Sequence, residues 1–153
     1  MNIIAISLIA ILSAIALLHL YWGFGGFWPG TDARSLSERV AGTSSSVASK
    51  LGPCLMVASA LVAAAVIVVL RHVLLPEGLF ALIIYGGYVT LILVFGLRGL
   101  APYLTPAFNY ARATPFYALN RKYYAPLCLL IAAGFIIDFP PGVESFILNP
   151  FGL

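Results

Sequence analysis

Long runs of apolar residues, separated by short polar segments, predict four membrane-spanning helices. A bilayer core about 30 Å thick needs roughly 20 helical residues. The predicted spans are 3–22, 53–70, 79–97 and 124–138, and the longer connecting loops are 23–52 and 98–123. The fourth span has the shortest uninterrupted apolar run, so flanking aromatic residues must extend it to the two interfaces.

This pattern predicts an all-α fold, a polytopic membrane protein built as a four-transmembrane-helix bundle. A single integral membrane domain then covers residues 1–153. Helices satisfy every backbone polar group inside the lipid within their own segment. A membrane β-barrel would need alternating apolar and polar residues, and the run 58–70, apolar except for Ser59, lacks that alternation.

Composition excludes a soluble protein. Hydrophobic residues make up 62% of the chain and charged residues only 8%, against about 25% charged residues in ordinary soluble domains. The isoelectric point near 9.0 comes from a net charge of only +3. We therefore interpret the basic residues as determinants of membrane topology, and we predict no nucleic-acid partner.

The cations lie on one side of the predicted membrane. Seven of the eight fall in the two longer loops, and only Arg71 lies on the opposite side. The positive-inside rule places these loops in the cytoplasm and both termini outside. The loop cations are Arg34, Arg39 and Lys50 in the first loop and Arg98, Arg112, Arg121 and Lys122 in the second.

His19 is the most informative candidate residue, because an ionisable group within a membrane span suggests function. It shares a helix face with Trp22 near the cytoplasmic end of the first span. One interpretation is a helix-end histidine bonded to a loop carbonyl, and the other is a role in ligand binding or proton transfer. No second histidine or acidic cluster accompanies it, so we predict no metal site.

The other candidates lie on the same predicted cytoplasmic side. Arg98 is either a snorkelling anchor or an anion contact, since arginine binds phosphate bidentately. Asn120 and Arg121 belong to the densest polar and aromatic cluster, where cations set topology or attract anionic headgroups. The predicted ligand-binding residues are His19, Trp22, Trp28, Arg98, Asn120 and Arg121.

The acidic residues all lie in predicted loops or at span boundaries, which weakens proton-pump, ion-channel and paired-carboxylate interpretations. They are Asp32, Glu38, Glu77, Asp138 and Glu144. Cys54 and Cys128 lie near the cytoplasmic ends of the second and fourth spans, and we predict inert packing thiols in that reducing compartment.

When the sequence is shifted along itself by one fixed number of residues, several glycines align with glycines and prolines with prolines, which suggests an internal repeat. It pairs Gly23 with Gly96, Gly26 with Gly99, Pro29 with Pro102, and Pro53 with Pro126. Composition alone predicts about one such identity. Our hypothesis is two repeated helical hairpins, with any functional site between them.

Two motifs carry a family resemblance. Residues 19–29 follow H-x-x-W-x-x-G-x-x-W-P, and residues 119–126 follow L-N-R-K-Y-Y-x-P. Together they resemble an uncharacterised family of small bacterial four-helix integral membrane proteins, a domain of unknown function. The resemblance covers nearly the whole chain and implies a bacterial inner-membrane protein. It transfers no catalytic residue, substrate or cofactor.

Our first functional hypothesis is a non-enzymatic protein that binds lipid or a hydrophobic ligand, or serves as a subunit of a membrane complex. Membrane lipids, further copies of the chain or other membrane subunits are the expected partners, and the cofactor question stays open. The alternative is a membrane-interface enzyme acting on a lipid or isoprenoid, with His19 as proton-transfer group. That enzyme would require His19, Arg98 and Asn120 to converge on one pocket. A transporter is the third and weakest hypothesis, because the spans offer few polar groups to line a cavity.

Overall fold

A computed structural model describes residues 1–74 and 78–139. Within these residues every regular element is helical, as the sequence predicts. Glu77 and Glu144, two of the predicted boundary acids, lie outside the described residues. The α-helices are α1 (Ile3–Gly23), α2 (Ala33–Val40), α3 (Leu51–Val73), α4 (Gly78–Leu104), α5 (Pro115–Leu119) and α6 (Ala125–Ile137).

Three helices are long and apolar enough to cross a membrane, namely α1, α3 and α4. Their outer faces expose large apolar side chains, such as Leu17 at 65% and Leu93 at 55%. A water-facing surface rarely exposes so many contiguous apolar groups, whereas lipid accepts them. The chain therefore has the character of a membrane protein.

The fourth predicted span differs from the other three. Helix α6 has 13 residues, which makes it about 20 Å long and shorter than the bilayer core is thick. It directly continues α5 and a π-helical segment, Asn120–Tyr124, so the chain is helical without interruption from 115 to 137. The predicted fourth span is therefore the apolar part of a longer helical column that begins in polar sequence.

The predicted second loop is also largely helical. Helix α4 continues past the expected end at residue 97 to Leu104, with Pro102 inside it. A 3₁₀ segment, Pro106–Ala111, then leads into α5. The helical pattern continues because residues 98–101 contain no proline or polar cluster that would end it, and Pro102 is buried rather than at a helix end.

The long helices pair as two antiparallel hairpins. Helix α1 packs mainly on α3, and α4 mainly on α6, with fewer contacts between the pairs. We call α1 and α3 the first hairpin, and α4 and α6 the second hairpin. The suggested repeat equates α1 with α4 and α3 with α6. When the starts of α1 and α3 are shifted by the repeat offset, they fall close to the starts of α4 and α6. The repeat remains a hypothesis, and these boundaries agree with it.

Helix α2 lies across one end of the hairpins. The sequence suggests a capping box at residues 35–38, but the helix begins earlier, at Ala33. Asp32 accepts a hydrogen bond from the Ser35 backbone N–H at 2.7 Å, and Ser35 Oγ accepts one from the Asp32 N–H at 3.1 Å. This reciprocal pair satisfies two backbone donors and places the helix start. Leu36 is fully buried beneath the helix.

Candidate functional site

A cavity of about 600 Å³ lies between the two hairpins. It is near the helix ends that α2 covers, which we call the α2 end: there α1 and α4 end while α3 and α6 begin. Its volume is within the range of small-molecule and cofactor sites. All four long helices contribute to its wall, which is formed by Ile15, Leu18, His19, Trp22, Trp28, Pro29, Val40, Ala41, Ala48, Pro53, Cys54, Val57, Leu61, Phe95, Arg98, Tyr124, Leu127, Cys128 and Ile131.

The wall changes from polar to apolar along the helix axes. The polar groups, His19, Arg98 and Tyr124, lie toward the α2 end. Ile15 and Leu61 lie deeper, because each is more than two helical turns from the α2 end of its helix. The cavity thus extends from the polar α2 end into the apolar part of the helices.

Two tryptophans shape its rim. Trp22, only 7% exposed, donates from Nε1 to the Trp28 carbonyl at 2.7 Å and so fixes the loop that follows α1. Trp28 is 66% exposed and precedes a cis peptide bond to Pro29. Aromatic rings with one polar atom suit such an interface between lipid and water.

His19 is held by its own helix. Its Nδ1 lies 2.8 Å from the Ile15 carbonyl oxygen, and its ring packs edge-on against Trp22 with centroids 5.0 Å apart. A carbonyl only accepts, so Nδ1 carries the proton and Nε2 of the neutral ring is an acceptor. The acceptor is a carbonyl within α1 rather than the loop carbonyl that the first interpretation expected, and the ring also lines the cavity.

Arg98 brings a positive charge to the cavity wall. Its Nη1 is buried and has no hydrogen-bond partner in the described part of the chain. The guanidinium lies over the Phe108 ring, 4.8 Å from its centroid. Such stacking holds the plane of the side chain but provides no hydrogen-bond acceptor for Nη1.

Asn120 and Arg121 lie away from this cavity. Asn120 is 1% exposed, and both its amide atoms are buried without a partner among the described residues. Arg121 lines a separate surface groove of about 280 Å³, where its Nη1 donates to the Pro102 carbonyl at 2.8 Å. The Arg121 guanidinium also lies 5.2 Å from the Tyr103 ring centroid.

Of the six predicted ligand-binding residues, the structure therefore brings four together, His19, Trp22, Trp28 and Arg98. The sequence analysis did not include Tyr124 or the two cysteines, which also line the cavity. Their positions near the α2 end of the helices were visible in the sequence. The sequence did not show that these side chains face the cavity, because that depends on how the two hairpins pack.

Helix α2 and its flanks cover part of the α2 end of the cavity. Val40 and Ala41 belong to the wall. Two tyrosines from the second half of the chain hold this segment, since Tyr124 donates to the Arg39 carbonyl at 3.3 Å and Tyr110 to the Ala41 carbonyl at 3.1 Å. The cover is thus attached to both halves of the protein.

A second polar cluster, which we call the Asp138 cluster, lies at the opposite end of the hairpins. Asp138, 1% exposed, accepts hydrogen bonds from Asn2 Nδ2 at 2.9 Å and Tyr88 Oη at 2.7 Å. His72 Nε2 lies 3.1 Å from both carboxylate oxygens. Arg71 Nη1 lies 3.1 Å from both ring nitrogens of His72.

The sequence analysis placed Asp138 at a span boundary and assigned it no partner. The boundary position agrees with the structure, in which Asp138 caps the C-terminus of α6. The burial and the three donors depend on the ends of α1, α3 and α4 meeting there. Polar chemistry is therefore present at both ends of the hairpins rather than only at the predicted cytoplasmic end.

Neither cluster has the composition of a metal centre. Across residues 1–74 and 78–139, no three His, Cys, Asp or Glu side chains come close enough to hold a metal ion. The α2-end cavity instead offers a cation, an imidazole, hydroxyl and thiol groups, and a large apolar wall. This combination suits binding of an apolar molecule with a polar head.

Comparison with known proteins places the chain in a family. No curated protein and no solved structure matches it. A family described as "Protein of unknown function (DUF3995)" matches residues 12–135. These residues include the second half of α1, all of α2, α3 and α4, and α6 almost to its end, so the whole cavity wall lies within the match. The chain belongs to the DUF3995 family of proteins of unknown function.

Proposed function

We propose that this protein is a non-enzymatic integral membrane protein that binds a lipid or another hydrophobic molecule between its two hairpins. The supporting observation is the cavity of about 600 Å³, with polar groups toward the α2 end and apolar side chains deeper in the membrane-spanning part. A void of this size between apolar helices would cost packing energy if it stayed empty. A hydrophobic ligand would restore those contacts.

The proposed topology has four spans in the bacterial inner membrane, with both termini outside and the α2 end in the cytoplasm. Seven of the eight cations belong to segments at the α2 end, which supports this orientation. The column from α5 to α6 would supply the fourth crossing, with its polar start at the cytoplasmic headgroups. A cysteine-accessibility scan with a membrane-impermeant reagent tests it. Labelling from outside at a cysteine placed at residue 44, rather than near residue 2, would show that the orientation is opposite to the proposed one.

The exposed apolar faces of the helices would also suit a subunit of a larger membrane complex or a homo-oligomer. Native mass spectrometry of protein extracted gently from its own membrane separates these roles, because it reports bound lipid and bound subunits together. We expect a single chain or a small oligomer that carries one hydrophobic molecule per cavity.

A cavity-filling pair of variants tests the site itself. Val57 lines the cavity, whereas Val62 lies on the same helix, is 50% exposed and is not part of the wall. Val57→Trp should displace the bound molecule because the indole occupies its volume, and Val62→Trp should leave it in place. The proposal fails if the wild-type protein binds no lipid or hydrophobic molecule, or if both variants retain it equally.

A membrane-interface enzyme is the second candidate. Its support is the His19 ring, whose Nε2 is an acceptor in the neutral form and which shares the cavity with the cation of Arg98. Asn120, the third group expected for this function, is not part of the cavity wall. Mass analysis of a co-purified lipid or isoprenoid after incubation would reveal conversion. A His19→Gln variant that leaves the conversion rate unchanged would exclude His19 as its base.

A further inference from the structure

We infer that the ligand of this cavity is an amphiphile with an anionic head, a phosphate or carboxylate, and that Arg98 binds this head. The inference rests on the proposed function, since it names the chemical class of the molecule in the same cavity. It makes a separate prediction about charge selectivity, so the cavity can bind ligands even if this inference is wrong.

The first argument is a buried guanidinium donor without an acceptor. Arg98 Nη1 is buried and lacks an acceptor in the described part of the chain. A guanidinium donor buried without a partner is destabilising, because water is lost and nothing replaces it. The stacked Phe108 ring, at 4.8 Å, stabilises the cation but accepts none of its hydrogen bonds.

The second argument is the absence of a protein counter-ion at the cavity. None of the described residues that form the wall is Asp or Glu. Asp138, the one buried carboxylate in the described ranges, lies at the opposite end of the hairpins with three donors of its own. A phosphate or carboxylate would supply the missing acceptor, and the planar guanidinium matches both groups bidentately.

The third argument is the order of polarity along the cavity. Arg98 and His19 lie toward the α2 end, at the level of the exposed Trp28 ring, while Ile15 and Leu61 lie deeper. A free inorganic anion would leave the apolar part empty. A wholly apolar molecule would leave Arg98 unsatisfied. A chain with an anionic head satisfies both parts of the wall.

The protein provides an intrinsic probe of this site. It has two tryptophans, Trp22 and Trp28, and both line the cavity. Lipids with brominated acyl chains quench tryptophan fluorescence on contact, so the quenching midpoint reports occupancy directly. We would titrate delipidated protein in neutral detergent with brominated phosphatidylglycerol, brominated phosphatidylcholine, brominated palmitate and brominated diacylglycerol. Inorganic phosphate would then be added alone as a competitor.

Wild-type protein should prefer phosphatidylglycerol over phosphatidylcholine of the same chains by at least about tenfold. Arg98→Met should bring that ratio close to one, and Arg98→Lys should retain part of it because lysine keeps the charge but not the bidentate geometry. Arg112→Met is the matched control. Arg112 is exposed, lines the surface groove rather than the cavity, and is also at the α2 end.

Thermal unfolding without lipid separates a binding role from a structural one. If Arg98 serves the ligand, Arg98→Met should unfold at the same temperature as wild type or higher, since it removes an unsatisfied buried donor. It should lose the stabilisation that phosphatidylglycerol gives to wild type. A variant that is less stable without lipid, yet keeps the lipid preference, would show that Arg98 is only structural.

Other outcomes also decide the question. Equal binding of phosphatidylglycerol and diacylglycerol would overturn the anionic head while leaving a hydrophobic cavity ligand in place. Competition by inorganic phosphate at the concentrations where the lipid binds would overturn the amphiphile and indicate a free anion. A clear preference for palmitate over phosphatidylglycerol would assign the head as a carboxylate. Absence of quenching by every lipid would refute the proposed function together with this inference.

Discussion

Removal of the Asp138 carboxylate should be among the most destabilising single changes in this protein. Asp138 caps α6 and bonds Asn2 before α1, His72 near the end of α3, and Tyr88 within α4. Asn2 and His72 belong to the first hairpin, and Tyr88 and Asp138 to the second. One buried side chain thus connects two hairpins that otherwise have few mutual contacts.

The magnitude follows from the donors left behind. Asp138→Ala strands Tyr88 Oη, which is fully buried, and removes the acceptor of His72 and of the exposed Asn2. Each stranded buried donor costs about 1–3 kcal/mol, and Tyr88 Oη and the largely buried His72 ring are two such donors. We therefore expect the free energy of unfolding to fall by about 3–5 kcal/mol, within the range for two such donors. Asp138→Asn keeps one acceptor oxygen and should lose less.

Thermal unfolding in detergent micelles, followed by a thiol-reactive fluorophore, measures this loss. Cys54 is 3% exposed and becomes reactive when the helices separate. For a chain of this length about 1 kcal/mol corresponds to roughly 2–4 °C, so the midpoint should fall by at least about 6 °C. Glu38→Gln is the control, because its partner Arg34 has a side chain that is 74% exposed and such pairs contribute little.

A double-mutant cycle tests the reasoning more directly. Tyr88→Phe removes one donor to Asp138 and should cost about 1 kcal/mol in the wild-type background. In the Asp138→Ala background the same change should cost little or become favourable, because the hydroxyl no longer has its acceptor. A loss below about 2 °C for Asp138→Ala, or strictly additive effects in the cycle, would refute the connection between the hairpins.

Three further predictions concern other parts of the chain. Gly99→Ala should lower the free energy of unfolding, measured by chemical denaturation, by about 1–3 kcal/mol, because the new Cβ would lie 3.0 Å from the Ala125 carbonyl oxygen. The control is Gly96→Ala on the same helix, where the new Cβ meets no atom within 4 Å and the change should be neutral or slightly stabilising. Equal effects of the two variants would contradict this packing. Asn120→Leu should raise the thermal midpoint by a few degrees, since the buried amide atoms have no partner within the described residues; a fall would indicate a bound water or ligand at Asn120. The Ser35 backbone N–H bonded to the carboxylate lowers the pKa of Asp32, so the stabilisation of α2 by Asp32 is present above the unfolded-state pKa of about 3.9 and declines as pH falls through the lower folded-state pKa. The difference in thermal midpoint between wild type and Asp32→Ala should therefore shrink over that acidic range. A pH-independent difference would contradict this role of the carboxylate.

Much of the helical architecture was predictable from the sequence because apolar run length directly reflects bilayer thickness. The first and second predicted spans correspond to α1 and α3 within a few residues. Helix α4, which contains the third, continues beyond the predicted end at residue 97 to Leu104. In the structure Pro102 is buried within α4. Run length alone does not distinguish a charge that ends a helix from one that lines a cavity.

The candidate site was also predictable from the sequence only in part. His19 and Arg98 attracted attention because ionisable residues near apolar spans are rare, and both lie on the cavity wall. Asn120 seemed equivalent, but the π-helical segment that contains it directs its amide into a buried position away from that wall. A change in helical period of this kind rotates side chains relative to the predicted face, and hydropathy carries no sign of it.

By itself, the sequence determined that the chain is helical, apolar enough for a membrane and strongly asymmetric in its cations. These properties depend on local composition and on run length, which are independent of how the helices pack. Only the tertiary structure decided that α1 pairs with α3 and α4 with α6, that a cavity remains between the pairs at the α2 end, and that Asp138 joins them at the other end. Those features depend on side chains that are far apart along the chain, such as His72 and Asp138, whose meeting is set by packing rather than by any local pattern.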